Sequence, residues 1–133
     1  MLLYTNLLLV ISLIYFYFYS VKTWIEYSLA ALLVAVIITS QIFWRNPIRG
    51  TLIHIIDSIL AKICVFIFMS YTIFYKLEST EIAIAYSIIL SLLGLSTWSG
   101  NHYSNIQWCS PDHIKSHAFM HFFCFMASFF ALL

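Results

Sequence analysis

The sequence predicts an all-α fold: one polytopic membrane domain built as a bundle of five transmembrane helices. Of the 133 residues, 63% are hydrophobic and only 8% are charged, whereas soluble domains carry about 25% charged residues. The apolar residues also fall into five segments, each close to the length of about 20 residues that crosses a bilayer. The net charge of +1 gives no reason to expect nucleic acid as a partner, so membrane lipid is the partner that the composition indicates.

The first two predicted helices are separated by a short turn around Lys22. The first, about residues 2–19, ends in the aromatic run 15–19, which is typical of an interfacial belt. Because this segment lacks a charged start and a small-residue cleavage site, we expect a retained helix rather than a signal peptide. The second, about residues 24–44, is followed by a polar turn that contains proline, glycine and two arginines.

The third and fourth helices are predicted over about residues 51–75 and 80–97. Their boundary is a short polar turn, and Ser79 or Thr80 is the expected N-cap of the fourth helix, because Ser and Thr side chains accept hydrogen bonds from the first free backbone N–H groups. No soluble domain remains outside the predicted helices.

The longest predicted connection covers residues 99–111 and is rich in Asn, Ser and His. This composition predicts a loop with a solvated His102. The fifth helix, about residues 112–133, then closes the bundle.

Because the predicted helices alternate in direction, three helix ends meet at one membrane surface, which we call the site face. These are the end of the second helix and the starts of the third and fifth. They carry most of the unusual polar residues of the chain, namely Thr39, Ser40, Gln41, His54, Asp57, His113, His117 and His121. This convergence predicts one polar cluster at the site face.

The last predicted helix begins with three histidines spaced four residues apart. An α-helix turns about 100° per residue, so His117 and His121 lie about 40° apart around its axis, one turn above the other. Unpaired imidazoles at a membrane boundary are costly, so this pair is expected to have a partner. His113 lies on the same side of the helix, one turn nearer its start, and we expect it to face water or lipid headgroups.

A zinc ion is the partner that this spacing favours. Two histidines at positions i and i+4 form a half-site whose remaining ligand comes from elsewhere, and catalytic zinc keeps one position for water. His54 or Asp57 of the third helix would complete the set with His117 and His121. Bound zinc lowers the pKa of its water to about 7, and Ser40 would position that water while Asp57 acts as ligand or general base.

Other interpretations of the cluster stay open. They are a metal-free hydrogen-bonded cluster, a haem held by histidines of two helices, and a proton or ion path. Ser40 alone is more typical of helix packing. Lys62 lies about 140° around the third helix from Asp57 and has no evident partner. The three cysteines argue against a disulfide framework.

These residues resemble the pattern of a superfamily that contains alkaline ceramidases, progestin/adiponectin receptors and related membrane hydrolases. The pattern is Ser-x-x-x-His late in helix 2, Asp early in helix 3 and His-x-x-x-His in the final helix. Its positions here are Ser40, Asp57 and the pair His117 and His121. Trp44 stands where the pattern has the helix 2 histidine, and the superfamily has seven helices rather than five. The chain thus looks like a reduced, divergent member, similar to the homologues of large DNA viruses.

The resemblance implies a ceramidase-like hydrolase that depends on Zn²⁺ and cleaves an amide bond of a lipid within the membrane. It implies Ser40 and Asp57 as catalytic residues and His117 and His121 as metal ligands. We expect His54 to replace the missing third ligand. The alternative is a catalytically inactive relative that serves as a membrane scaffold or lipid-binding protein. Both interpretations predict an integral, multi-pass membrane protein.

Overall fold

The computed structural model describes all 133 residues, and they form α-helices without strands. The helices are α1 (Leu2–Asn6), α2 (Leu8–Tyr19), α3 (Trp24–Arg45), α4 (Leu52–Tyr75), α5 (Thr80–Ile106) and α6 (Pro111–Leu132). Because only Leu7 separates α1 from α2, the two make one apolar span, Leu2–Tyr19. The predicted all-α bundle is therefore confirmed.

The four longest helices all begin at a Ser or Thr whose side chain accepts a hydrogen bond from a backbone N–H of the first turn. These N-caps are Thr23, Thr51, Ser79 and Ser110. Ser79, and not Thr80, is therefore the cap of α5. Pro111 follows directly as the first residue of α6, a position where its missing N–H costs nothing.

Four of the helical segments are long and apolar enough to cross a membrane. They are Leu2–Tyr19, Trp24–Arg45, Leu52–Tyr75 and Thr80–Ile106. Large apolar side chains cover their outer surfaces, and at most 39% of any one span is buried in the bundle, which fits an integral membrane protein. α6 has 22 residues but is not among the four, because its histidine-rich start lowers its hydropathy. A fifth span therefore stays a prediction.

α6 lies at the centre of the bundle, where it packs against α1, α2, α4 and α5. Its buried residues are mostly small, including Ala118, Ala127 and Ala131, and they allow the neighbouring helices to approach closely. A hydrogen bond of 2.8 Å between Ser12 Oγ and Ser128 Oγ also joins α2 to α6. The helix with the histidine-rich start is thus the one that its neighbours surround.

The predicted loop over residues 99–111 is wrong, since α5 continues to Ile106 and only residues 107–110 connect it to α6. Gly100 does not end the helix because it lies against α6, where an added Cβ would be 3.8 Å from Ser116 Cβ. Ser99 Oγ and Ser116 Oγ hydrogen-bond at 2.9 Å beside it. His102 is therefore on an exposed helical surface and not in a loop.

Side-chain hydrogen bonds define the two ends of the bundle. At the site face, Gln41 Nε2 donates to the Leu3 carbonyl at 2.7 Å. At the other end, which we call the opposite face, Ser20 donates to the Leu132 carbonyl and Lys76 Nζ donates to the Leu133 carbonyl at 3.3 Å. The end of α3 also contacts the starts of α4 and α6, through Ser40 with Asp57 and Trp44 with His117. The predicted meeting of these three helix ends at one face is therefore confirmed.

We expect Gly100→Leu to destabilise the fold and Gly94→Leu to leave it unchanged. A Cβ at Gly100 already contacts Ser116, whereas one at Gly94 would meet nothing within 4 Å. A leucine at position 100 therefore forces α5 away from α6, and such overpacking costs about 1–3 kcal/mol. Thermal unfolding of the detergent-solubilised variants, followed by circular dichroism, measures the difference. Equal unfolding midpoints for the two variants would contradict the close contact.

Candidate functional site

Asp57, a buried carboxylate of α4, accepts hydrogen bonds from two hydroxyls of α3. Ser40 Oγ donates to Asp57 Oδ1 at 2.5 Å, and Thr39 Oγ1 donates to the same oxygen at 3.2 Å. Ser40 is 4% exposed and Asp57 is 7% exposed, so the pair lies inside the bundle. A carboxylate at that depth is costly without partners, and the two hydroxyls supply them. The structure therefore brings together the two residues that were predicted to be catalytic.

His117 and His121 stand one turn apart on α6, with ring centroids 4.9 Å apart. His121 is buried, and a hydrogen bond of 3.0 Å between its Nδ1 and Thr5 Oγ1 joins α6 to α1. The His117 ring packs edge-on against Trp44 of α3, with the centroids 4.7 Å apart. The histidine pair therefore faces the interior of the bundle.

His54, the third predicted metal ligand, turns toward the loop that precedes its own helix. Its Nδ1 accepts a hydrogen bond from the Gly50 N–H at 3.2 Å. Gly50 has a φ of 83°, a left-handed conformation that favours glycine. The His54 ring also packs against Phe43 and Trp108, with centroid distances of 5.1 Å and 5.4 Å. Local contacts thus fix this imidazole.

His113 does not face water or headgroups as predicted, since it is only 2% exposed. The short connection before α6 folds over it, and Trp108 packs on its ring at a centroid distance of 4.8 Å. His113 Nδ1 accepts a hydrogen bond from the Cys109 N–H at 3.1 Å. Sequence spacing placed this residue on the correct side of α6, but the cover comes from a loop conformation that spacing does not determine.

Two tryptophans fill the space beside the histidines, and the role of Trp108 was not predicted from the sequence. Its ring is nearly parallel to that of Trp44, with an interplanar angle of 13° and centroids 6.4 Å apart. Trp108 Nε1 donates to the Pro47 carbonyl at 2.9 Å, and the Arg49 guanidinium lies over its ring at 5.6 Å. The feature of the sequence that could have indicated this role is a large aromatic residue in an otherwise polar connection between helices.

The first helix supplies polar partners that were not predicted from the sequence either. Thr5 bonds to His121, and Asn6 Nδ2 donates to the Ile37 carbonyl at 3.2 Å. Asn6 is 1% exposed. Thr5 and Asn6 are two adjacent polar, non-aromatic residues in an otherwise apolar N-terminal segment. This pair is the feature of the sequence that indicates a helix surface in contact with α3 and α6.

The side chains, as they are arranged, do not fit a zinc centre with three protein ligands. No group of three or more His, Cys, Asp or Glu side chains is placed to hold one metal ion. The Nδ1 atoms of His54 and His121 are each engaged in a hydrogen bond within the protein. His117 and His121 are neighbours, but His54 does not join them in one ligand set. The zinc site stays a prediction.

Comparison of the chain with protein-family models, with curated proteins and with solved structures found no match. The resemblance to membrane ceramidases therefore rests on Ser40, Asp57, His117 and His121 alone. The fold and the site define a class only: an all-α protein with membrane-spanning helices and a buried polar cluster at the site face.

We expect Ser40→Ala to destabilise the protein more than Ser28→Ala, a control on the same helix. Loss of the Ser40 hydroxyl leaves the buried Asp57 with Thr39 as its one donor, a change that costs about 1–3 kcal/mol. The exposed Ser28 donates only to the Trp24 carbonyl of its own helix, so its loss changes the free energy of unfolding by about 0.5 kcal/mol or less. Unfolding in mixed micelles measures both. Equal losses would count against a structural role for the Ser40 bond.

We expect Cys109→Gly to be more stable than Cys109→Ala. Cys109 has a φ of 59°, a conformation that costs most residues about 1–2 kcal/mol and glycine very little. Burial raises the pKa of the Cys109 thiol, so the group is neutral and both variants lose the same uncharged side chain. Thermal midpoints of the two variants give the comparison. The prediction fails if the alanine variant unfolds at the same temperature or higher.

Proposed function

We propose that the protein is a non-catalytic membrane scaffold in which the polar cluster at the site face fastens the helices to each other. The observation that carries this proposal is that several hydrogen bonds of the cluster run between different helices. They join Ser40 to Asp57, Gln41 to Leu3 and His121 to Thr5. Inside a bilayer, where apolar burial does not drive helix association, such bonds and close packing hold helices together.

Trp44 supports a structural role for the histidine pair. Its indole has a single N–H donor and no lone pair for a metal, and its ring lies 4.7 Å from that of His117. Centroid distances of about 4.5–7 Å are favourable for aromatic rings. At the position where the resemblance places a metal ligand, this chain therefore has an aromatic packing contact.

A ceramidase-like, zinc-dependent lipid amide hydrolase is the second candidate function. The 2.5 Å contact between Ser40 Oγ and Asp57 Oδ1 favours it, as does the adjacency of the His117 and His121 rings. These are the pairs that the superfamily pattern predicts to lie together. In this candidate Ser40 and Asp57 are catalytic, and His54 has to move to join the two ligands on α6.

Metal analysis of the purified protein separates the two candidates. For a scaffold, we expect zinc far below a stoichiometric amount and an unfolding midpoint that EDTA does not change. We also expect His117→Ala to lower that midpoint, because it removes the ring packed on Trp44, a contact of about 1 kcal/mol. Elemental analysis by mass spectrometry and thermal unfolding in detergent give both readouts.

His102→Ala is the matched control for this experiment, because His102 is an exposed histidine on α5. It removes an imidazole without touching the cluster at the site face. Stoichiometric zinc in the wild type and in His102→Ala, but not in His117→Ala, would overturn the scaffold proposal and favour the hydrolase.

A further inference from the structure

Lys62 is a lone charge near the middle of a membrane-spanning helix. It lies ten residues after the start of α4 at Leu52 and thirteen before its end at Tyr75, which puts it about 15–20 Å from either end at 1.5 Å per residue. Its side chain is exposed on the outer surface of the bundle. The only ion pair of the protein joins Lys115 to Asp112, so no carboxylate of the chain neutralises Lys62.

A charged side chain at this depth is costly, and such residues normally face the bundle interior or pair with one another. The two buried acids of the chain follow that rule. Glu26 is bonded to Thr23 and Tyr71 near the opposite face, and Asp57 has its hydroxyl partners near the site face. The remaining charged residues lie near helix ends or in turns. Lys62 is the exception.

The exposed face of α4 around Lys62 carries a stripe of large apolar side chains. Ile55, Ile59, Lys62 and Phe66 recur at helical spacing, so they lie within about 60° of one another around α4. Ile55, Ile59 and Phe66 are 48%, 52% and 65% exposed. Bulky apolar side chains thus flank the one cation, and their spacing matches the anchors of a helix-to-helix contact.

We propose that this face of α4 binds the transmembrane helix of another protein that carries an Asp or Glu near the middle of its span. Charge complementarity selects this partner, because a carboxylate at the depth of Lys62 neutralises the ammonium while the flanking side chains pack against the incoming helix. The binding does not depend on whether the polar cluster at the site face is structural or catalytic.

A second copy of this chain does not fit the same face. Glu26 and Asp57 are its only buried acids, and both are engaged within the bundle. Glu78, Glu81 and Asp112 lie at helix ends, far from the middle of a span. Pairing two copies through this stripe would bring two Lys62 ammonium groups together, and like charges repel.

The test uses the full chain in vesicles of phosphatidylcholine and a fluorescent, leucine-rich transmembrane peptide with one central Asp. Control peptides carry Leu at the centre, or the Asp near one end. Energy transfer between the labelled chain and each peptide measures association. Lys62→Leu is the test variant and Lys115→Leu the control, since Lys115 is an exposed lysine at the start of α6.

We expect the wild type and Lys115→Leu to bind the central-Asp peptide about tenfold more tightly than either control peptide, a ratio that corresponds to about 1.4 kcal/mol. Lys62→Leu loses this preference while its circular dichroism spectrum stays helical. Lys62→Glu paired with a central-Lys peptide regains it.

Equal binding of the three peptides by the wild type overturns the proposal, and so does an unchanged preference in Lys62→Leu. A third outcome would show that Lys62 binds a lipid headgroup. In that case vesicles that contain phosphatidylglycerol show lipid enrichment around the wild type but not around Lys62→Leu, with no preference among the peptides. That result also overturns the proposal.

Discussion

The enclosure of α6 is the constraint on which the rest of the bundle depends. This helix begins with polar and imidazole side chains that are costly in contact with lipid, and α1, α2, α4 and α5 surround it. Small buried residues such as Ala118 and Ala131 let these helices approach. Were α6 at the edge of the bundle, His121 would lose Thr5 and face hydrocarbon. The helix that carries the three histidines is central for this reason.

Two polar layers, one at each end of the bundle, follow from that arrangement. At the site face, Asp57 and His121 have hydroxyl partners on other helices. At the opposite face, Glu26 accepts from Thr23 and Tyr71. Between them, the largest buried cluster consists of apolar side chains and one thiol. Polar bonds therefore fix the register of the helices at both ends, while the region between them contributes close packing and the bond between Ser12 and Ser128.

These bonds between helices at both ends of the bundle are the physical basis of the scaffold proposal. A bundle whose polar groups are mostly engaged with each other presents a stable outer surface, and away from the helix ends the one charge on that surface is Lys62. The single intramembrane cation makes one face of α4 different from every other lipid-exposed face. A protein that holds partners in a membrane needs such a distinguishing feature, since apolar side chains alone do not distinguish another helix from lipid.

The amino-acid sequence by itself determined the all-α class, the approximate helix ends except the end of α5, and the face on which the polar residues gather. Hydrophobic length, cap residues and the alternation of spans are local properties, so they can be inferred without coordinates. The alternation of the spans also placed Ser40 and Asp57 at the same face, and the structure brings them into contact.

Only the tertiary structure decided how far α5 extends and where each imidazole points. Gly100 ends a helix or continues it according to whether another helix packs against it, and here α6 does. Spacing determines which side of α4 or α6 carries a histidine, but the neighbouring residues determine where its ring nitrogens point. The His54 ring accepts a hydrogen bond from a loop N–H, and Trp108 packs on the His113 ring. Both contacts involve loop segments of irregular conformation, which residue spacing does not predict.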